Sequence, residues 1–219
     1  MHEILNSPTP RRGFLGRMAA FAAGLTVAAP SALSAETPAT EMTADPALDA
    51  WFAKIKGAHK IVFDAPEPNG GMAGVWPRVY LNTMAATYPG NATAVVILRH
   101  GAIPLALNDA TWAKYSLGEM FNVKDGDAAA TRNPYAKITS LPLPGLGISE
   151  LIKDGALVGA CDVALTVYSS GAAQKMGMDP AAVKKEWIAG LLPGVQVVPS
   201  GVLGVARAQE LGCAYCFAG

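Results

Sequence analysis

Apolar and polar positions change period several times along this chain, and each change marks an element. Residues 46–56 place Leu48, Trp51, Phe52 and Ile55 at helical spacing, which predicts a short amphipathic helix. From His59 the period switches. His59–Asp64 (HKIVFD) reads as a short apolar strand and Ala65–Gly74 (APEPNGGMAG) as a Pro/Gly/Asn loop. Val75–Tyr88 reads as a helix, with Val79, Leu81 and Met84 among its apolar positions. Ala94–Leu98 (AVVIL) is a second strand, rich enough in β-branched residues to be buried on both faces. A helix is expected over Ile103–Asn108, extending toward Tyr115. Further strands are expected at 156–161, 195–198 and 213–217, and further helices at 148–153, 163–176, 180–192 and 201–211. Asp179 before Pro180 is a good helix start, and Ser200 can cap the last helix.

Strands alternating with helices imply a parallel sheet covered on both faces, joined by right-handed crossovers. The fold class expected is α/β: a three-layer α/β/α sandwich with a five-stranded parallel sheet. One segment breaks the alternation. Residues 119–147 hold Asp125-Gly126-Asp127, Arg132-Asn133-Pro134 and Leu141-Pro142-Leu143-Pro144-Gly145. They are too long for an ordinary connection and read as an insertion, either a lid or a binding loop.

The N-terminus has a different character. Arg11-Arg12-Gly13-Phe14-Leu15 precedes an apolar run from Met18 to Ala29, which is short for a bilayer span. The pattern reads as a twin-arginine export signal over residues 1–35, cut near Ser34 or Ala35, with an uncut anchor as the alternative. It implies a periplasmic protein with no membrane attachment after cleavage. Residues 36–57 then form a flexible lead-in and the first helix, and 58–219 the domain proper. The signal holds Arg11, Arg12, Arg17 and Glu3, so of the chain's 17 basic and 17 acidic residues 14 and 16 remain, a net charge of −2. That balance argues against a nucleic-acid partner or an anionic lipid surface.

Three cysteines remain, Cys161, Cys213 and Cys216. An odd number in an oxidising compartment leaves at least one thiol unpaired or chemically engaged. Cys213 and Cys216 form a CxxC, but positions i and i+3 of a strand face opposite sides about 10 Å apart, beyond disulfide reach. The pair is expected unbridged, although cysteines of separate subunits could meet. No His/Cys/carboxylate cluster has metal-ligand spacing within one element, Asp125-Gly126-Asp127 is too short for a calcium loop, and no metal or cofactor is expected. The glycine fingerprint of dinucleotide binding is missing.

The strand endings Leu98-Arg99-His100-Gly101-Ala102, Gly159-Ala160-Cys161 and Val197-Val198-Pro199-Ser200-Gly201-Val202, with the tail Gly212-Cys213-Ala214-Tyr215, follow one another in a familiar order. Over roughly residues 58–218 the chain resembles the DsrE/DsrF-like family, small α/β proteins related to sulfur-relay subunits. The resemblance implies sheet order 4-3-2-1-5, a homo-oligomer, and in some members a persulfide carried on a cysteine and passed between a sulfur donor and an acceptor protein. Cys161 resembles a recurrent cysteine of the family.

In open parallel sheets, ligands bind beyond the carboxyl ends of the strands. Here those ends carry Asp64 with the Asn69-Gly70-Gly71 loop, His100-Gly101, Cys161 and Ser200. Cys161 precedes a predicted helix, whose N-terminus favours a thiolate, while Asp162 opposes it; alternatively Cys161 is a small buried thiol. His100 can move a proton, or simply hold a loop backbone. The Asn69–Gly71 loop can cradle an anion through N–H groups or serve as a turn. The reading expected is sulfur or thiol handling through Cys161 assisted by His100, with Asp64, Asn69, Gly70, Gly71, Gly101 and Ser200 lining the cleft. The alternative is a non-catalytic small-ligand-binding or assembly protein.

Overall fold

The computed structural model describes residues 45–219, so the export-signal reading, its cleavage positions and the lead-in up to Ala44 lie outside the described residues. Its centre is a parallel pair, β1 (His59–Ala65) and β2 (Ala92–Leu98), in a register that sets Ala65 opposite Leu98. The chain continues through a two-residue hairpin, β3 (Lys124–Asp125) and β4 (Ala128–Ala129), then β5 (Leu157–Cys161), β6 (Gln196–Val198) and β7 (Ala214–Phe217). The main sheet runs β6-β5-β2-β1-β7 and all of its pairings are parallel. Numbered by the sheet's own strands, that is the order 4-3-2-1-5.

Residues of β2 show why the sheet needs two covering layers. Ala94, Val96 and Leu98 join one core cluster and Val95 and Ile97 the other, and none is more than 1% exposed. Each of the larger side chains contributes about 1.5–3 kcal/mol by burial. The first layer is formed by α2 (Met72–Thr87), α3 (Asp109–Tyr115), α4 (Leu117–Met120), α5 (Ile148–Lys153), α6 (Asp162–Met176) and α7 (Pro180–Ala189), with Trp112, Leu165 and Trp187 fully buried in it. The opposite face is covered by α1 (Pro46–Phe52) and α8 (Gly201–Glu210), through Leu48, Trp51, Phe52 and Ala208.

Boundaries differ from the sequence reading where local stereochemistry intervenes. The loop expected up to Gly74 ends sooner: Gly71 adopts φ +87°, a left-handed value that glycine takes at no steric cost, and α2 starts at Met72. The single helix expected from Ile103 is two elements. A 3-10 segment, His100–Ala106, contains Pro104, and Asn108 then caps α3 by accepting the Thr111 N–H at 2.9 Å.

The long 119–147 segment is pinned rather than loose. Asn133, 6% exposed, donates from its amide to Leu105 O (3.0 Å) and Leu107 O (2.7 Å) and accepts from the N–H groups of Tyr135 (2.9 Å) and Ala136 (3.1 Å). Farther along, buried Arg78 of α2 donates to Gly145 O (2.8 Å) and Glu150 O (3.2 Å) and pairs with Asp154 (2.7 Å). Replacing Asn133 with Ala strands buried carbonyls and amides, which costs about 1–3 kcal/mol for an unsatisfied group and more when several are left. Asn133→Ala is expected to destabilise the domain by about 3 kcal/mol, lowering Tm by roughly 6–12 °C in thermal unfolding. A drop under about 2 °C would show that the segment is held by something else.

Candidate functional site at the carboxyl ends of the strands

β1, β2, β5 and β6 all end on one rim of the sheet, and the residues that follow them build two clusters on its two faces. The first lies on the α8 side. Asp64 follows Val62 by two positions in β1, and Arg99 follows Ile97 by two beyond β2, so alternation points both toward that layer. Asp64 is 4% exposed. Arg99 grips it in a two-pronged pair, Nε to Oδ1 at 2.6 Å and Nη2 to Oδ2 at 2.9 Å, and the Tyr215 hydroxyl donates to Oδ2 at 3.0 Å. The stem of Arg99 lies across Gly201, where a Cβ would come within 2.5 Å of Arg99 Cβ. Hydrogen bonding to Asp64 raises the Arg99 pKa, with burial acting against it and the charges of Asp64, Tyr215 and Cys161 acting with it. Burial, then the Asp64 hydrogen bond and charge, push the Tyr215 phenol up and keep its proton on the donor.

The second cluster lies on the other side of the same strand end. His100 has φ +45°, a left-handed value uncommon for a non-glycine residue. That conformation aims its ring at Glu67, with Nδ1 2.7 Å from Oε1. Gly101 gives the carboxylate its room, since a Cβ there would collide with Glu67 Oε2. Tyr168 of α6 meets the His100 ring edge-on at 5.9 Å and packs on Phe121 at 4.8 Å. Burial and the nearby Glu67 charge push the Tyr168 phenol up. His100 and Glu67 both remain well exposed.

Cys161 closes β5 and is the N-cap of the 15-residue helix α6. Its Sγ accepts the Ala164 N–H at 3.4 Å. The residue is 5% exposed and belongs to the larger core cluster. Asp162, which follows it, is tied to Lys184 of α7 at 2.8 Å, so its negative charge is partly offset. All three cysteines are free, as the strand geometry requires of the CxxC.

The other expected residues take plainer places. Asn69 and Gly70 are exposed with φ of +38° and +59°, but the Gly71 N–H is taken up by Pro68 O at 2.7 Å, which leaves fewer donors for an anion. Gly71 lies under the ring of Tyr135, which brings the 119–147 segment to the rim. Ser200 caps α8, its Oγ accepting the Leu203 N–H at 3.1 Å. Among the described residues no hydrogen bond joins His100 to Cys161. A cavity of about 440 Å³ lies elsewhere, beneath residues 137–146, with Lys137, Ile138, Leu143 and Glu150 in its lining. None of the rim residues lines it. Among the described residues no group of His, Cys, Asp and Glu is placed to hold a metal ion.

Sequence reasoning missed Glu67, Arg99, Tyr168 and Tyr215. Arg99 and Asp64 did carry a signal: opposite charges at the ends of two strands expected to be neighbours.

No family model and no curated protein matches the chain. Among solved structures it is similar to a protein of unknown function from Methanobacterium thermoautotrophicum, at 19% identity and a TM-score of 0.39, covering 73% of this chain and 98% of that one.

Truncating Arg99 leaves the Asp64 carboxylate buried with Tyr215 as its remaining side-chain partner. Breaking a fully buried pair costs about 3–5 kcal/mol, and partial exposure of Arg99 reduces this. Arg99→Leu is expected to cost about 2 kcal/mol by urea unfolding, whereas Arg132→Leu, which removes an exposed pair with Asp125, stays within about 0.5 kcal/mol. Equal effects would remove the special place given to the Asp64 pair.

Proposed function

We propose that this is an exported DsrE/DsrF-like protein that handles thiol-bound sulfur at Cys161. The observation that carries the reading is the seat of the Cys161 sulfur. It lies at the N-terminus of a long helix with a backbone N–H directed at it, and the Arg99 guanidinium is within electrostatic reach. Reactive cysteines occupy such electropositive settings because the thiolate is the nucleophile. The ion pair between Lys184 and Asp162 weakens the adjacent opposing charge.

The step follows from that placement. The Cys161 thiolate attacks the outer sulfur of a persulfide, R–S–SH. The donor's S–S bond breaks, the donor thiolate leaves with the electron pair, and Cys161 carries the sulfur as a persulfide. No external oxidant enters. His100 gives its Nδ1–H to Glu67, which leaves Nε2 as the nitrogen that exchanges protons at the rim. At 5% exposure Cys161 admits small donors more readily than the surface of another protein.

That same burial favours the second reading, a non-catalytic protein in which Cys161 is a structural cap and the rim binds a small ligand or a second subunit. Glutathione persulfide separates the two. The sulfur-handling reading expects one added sulfur, about 32 Da by intact mass, present in Cys216→Ser and lost in Cys161→Ser. Burial pushes the Cys213 thiol up, with Lys60 opposing, which makes it a poor competitor. An unchanged mass, or an adduct confined to Cys213 or Cys216, would overturn the reading in favour of the structural cap.

A further inference from the structure

We propose that two copies of this chain join along β7, edge to edge and antiparallel about a two-fold axis, and that an intermolecular Cys216–Cys216 disulfide locks the pair. Cys161 takes no part, so the inference stands apart from the sulfur-handling reading.

β7 is an edge strand whose only partner in the sheet, among the described residues, is β1. The Ala218 N–H bonds to Asp64 O at 2.8 Å, so even-numbered residues of the strand direct their backbone groups toward β1. Backbone direction alternates along a strand, so the N–H and C=O groups of Tyr215 and Phe217 point to the open side. Both side chains are also exposed, at 49% and 57%. Exposed edges are usually blunted by Lys, Pro or a bulge. Here Leu211–Gly219 contains no Lys, Arg, His, Asp, Glu or Pro. The opposite edge differs: β6 is three residues long, and the Gln196 side chain donates to its own strand at Val197 O (3.0 Å).

A second copy fits this edge for three reasons. An open edge is self-complementary under a two-fold axis, because each N–H finds the C=O of its symmetry mate. A strand without charged side chains meets its own copy without side-chain repulsion. The register also follows: Tyr215 pairs with Phe217 of the second copy and the reverse, each pair exchanging two hydrogen bonds and stacking two aromatic rings on one face. The axis then passes beside Cys216. Cys216 and its symmetry mate form a non-hydrogen-bonded pair with Cα atoms about 4.5 Å apart, within the range a disulfide spans. The present rotamer suits this, since Cys216 Sγ lies 3.6 Å from Phe217 O, a carbonyl on the open side. The thiol is free and half-buried, with neither other cysteine bonded to it.

The linkage needs a two-electron oxidant, supplied by a small disulfide. Two Cys216 thiols and one oxidised glutathione give one Cys216–Cys216 bond and two reduced glutathiones, through a mixed disulfide.

The test incubates the full chain with oxidised glutathione and reads intact mass and disulfide peptides without reduction. A covalent dimer whose linking peptide is Cys216 to Cys216 is expected. Cys216→Ser abolishes it. Phe217→Lys retains the thiol but sets like charges across the axis, and is expected to cut dimer yield about tenfold and divert Cys216 to the glutathione adduct. Circular dichroism of that variant checks that the fold is intact; if it is not, Phe217→Thr, which keeps the strand and removes the ring, takes its place. A glutathionylated monomer in the unaltered chain, a Cys216 blocked from reagent by residues 1–44 or another occupant, or a dimer yield unaffected by the Phe217 substitution would each overturn the proposal.

Discussion

A parallel strand buried on both faces can offer chemistry only at its ends, and that constraint organises this protein. Val95, Val96, Ile97 and Leu98 are fully enclosed between the two helical layers, so no polar group fits along their length. The first residue of that run free to be polar is Arg99, and the next is His100. Their side chains diverge to the two sides of the sheet, one into the Asp64–Tyr215 cluster and the other toward Glu67 and Tyr168. Cys161 ends the neighbouring strand, where the same emergence from the core becomes a helix cap. Three chemically distinct groups therefore share one rim because the sheet leaves them nowhere else to go.

The two clusters differ in what they can do. Asp64 is held by both Arg99 and Tyr215, and the three tie the ends of β1, β2 and β7 to one another. His100 and Glu67 remain open to solvent, with a strained backbone at His100. Strain of this kind persists only where the surroundings hold it, here Gly101 beneath Glu67 and the Tyr168 ring beside the imidazole. The first cluster ties strand ends together, and the second stays open to solvent.

Much of the fold was legible because its signals are local. Short apolar runs marked β1, β2 and β5, and Asp179-Pro180 and Ser200 marked helix starts that the structure places at the same residues. The i to i+3 spacing of Cys213 and Cys216 was enough to keep them unbridged. What the sequence hid depends on distant partners. Asp64 was visible at a strand end, but Arg99, 35 residues on, is matched to it only once the register of β1 on β2 is known. Glu67 sat within a Pro/Gly/Asn loop, and Tyr168 within a helix that gave no reason to single it out. Asn133 looked like part of an irregular tract, and its role depends on carbonyls 26 to 29 residues earlier in the chain.

The central claim is that the surroundings of Cys161, rather than its exposure, set it apart. Cys161 and Cys213 make a matched pair for testing it, being 5% and 6% exposed. Labelling the folded protein with a small thiosulfonate and following each cysteine by mass spectrometry compares them under one condition. The account predicts that Cys161 is modified at least tenfold faster than Cys213, as its helix N-terminus and the nearby guanidinium require of a reactive thiol. Equal rates, or a slower Cys161, would contradict it and leave Cys161 as a cap on a helix.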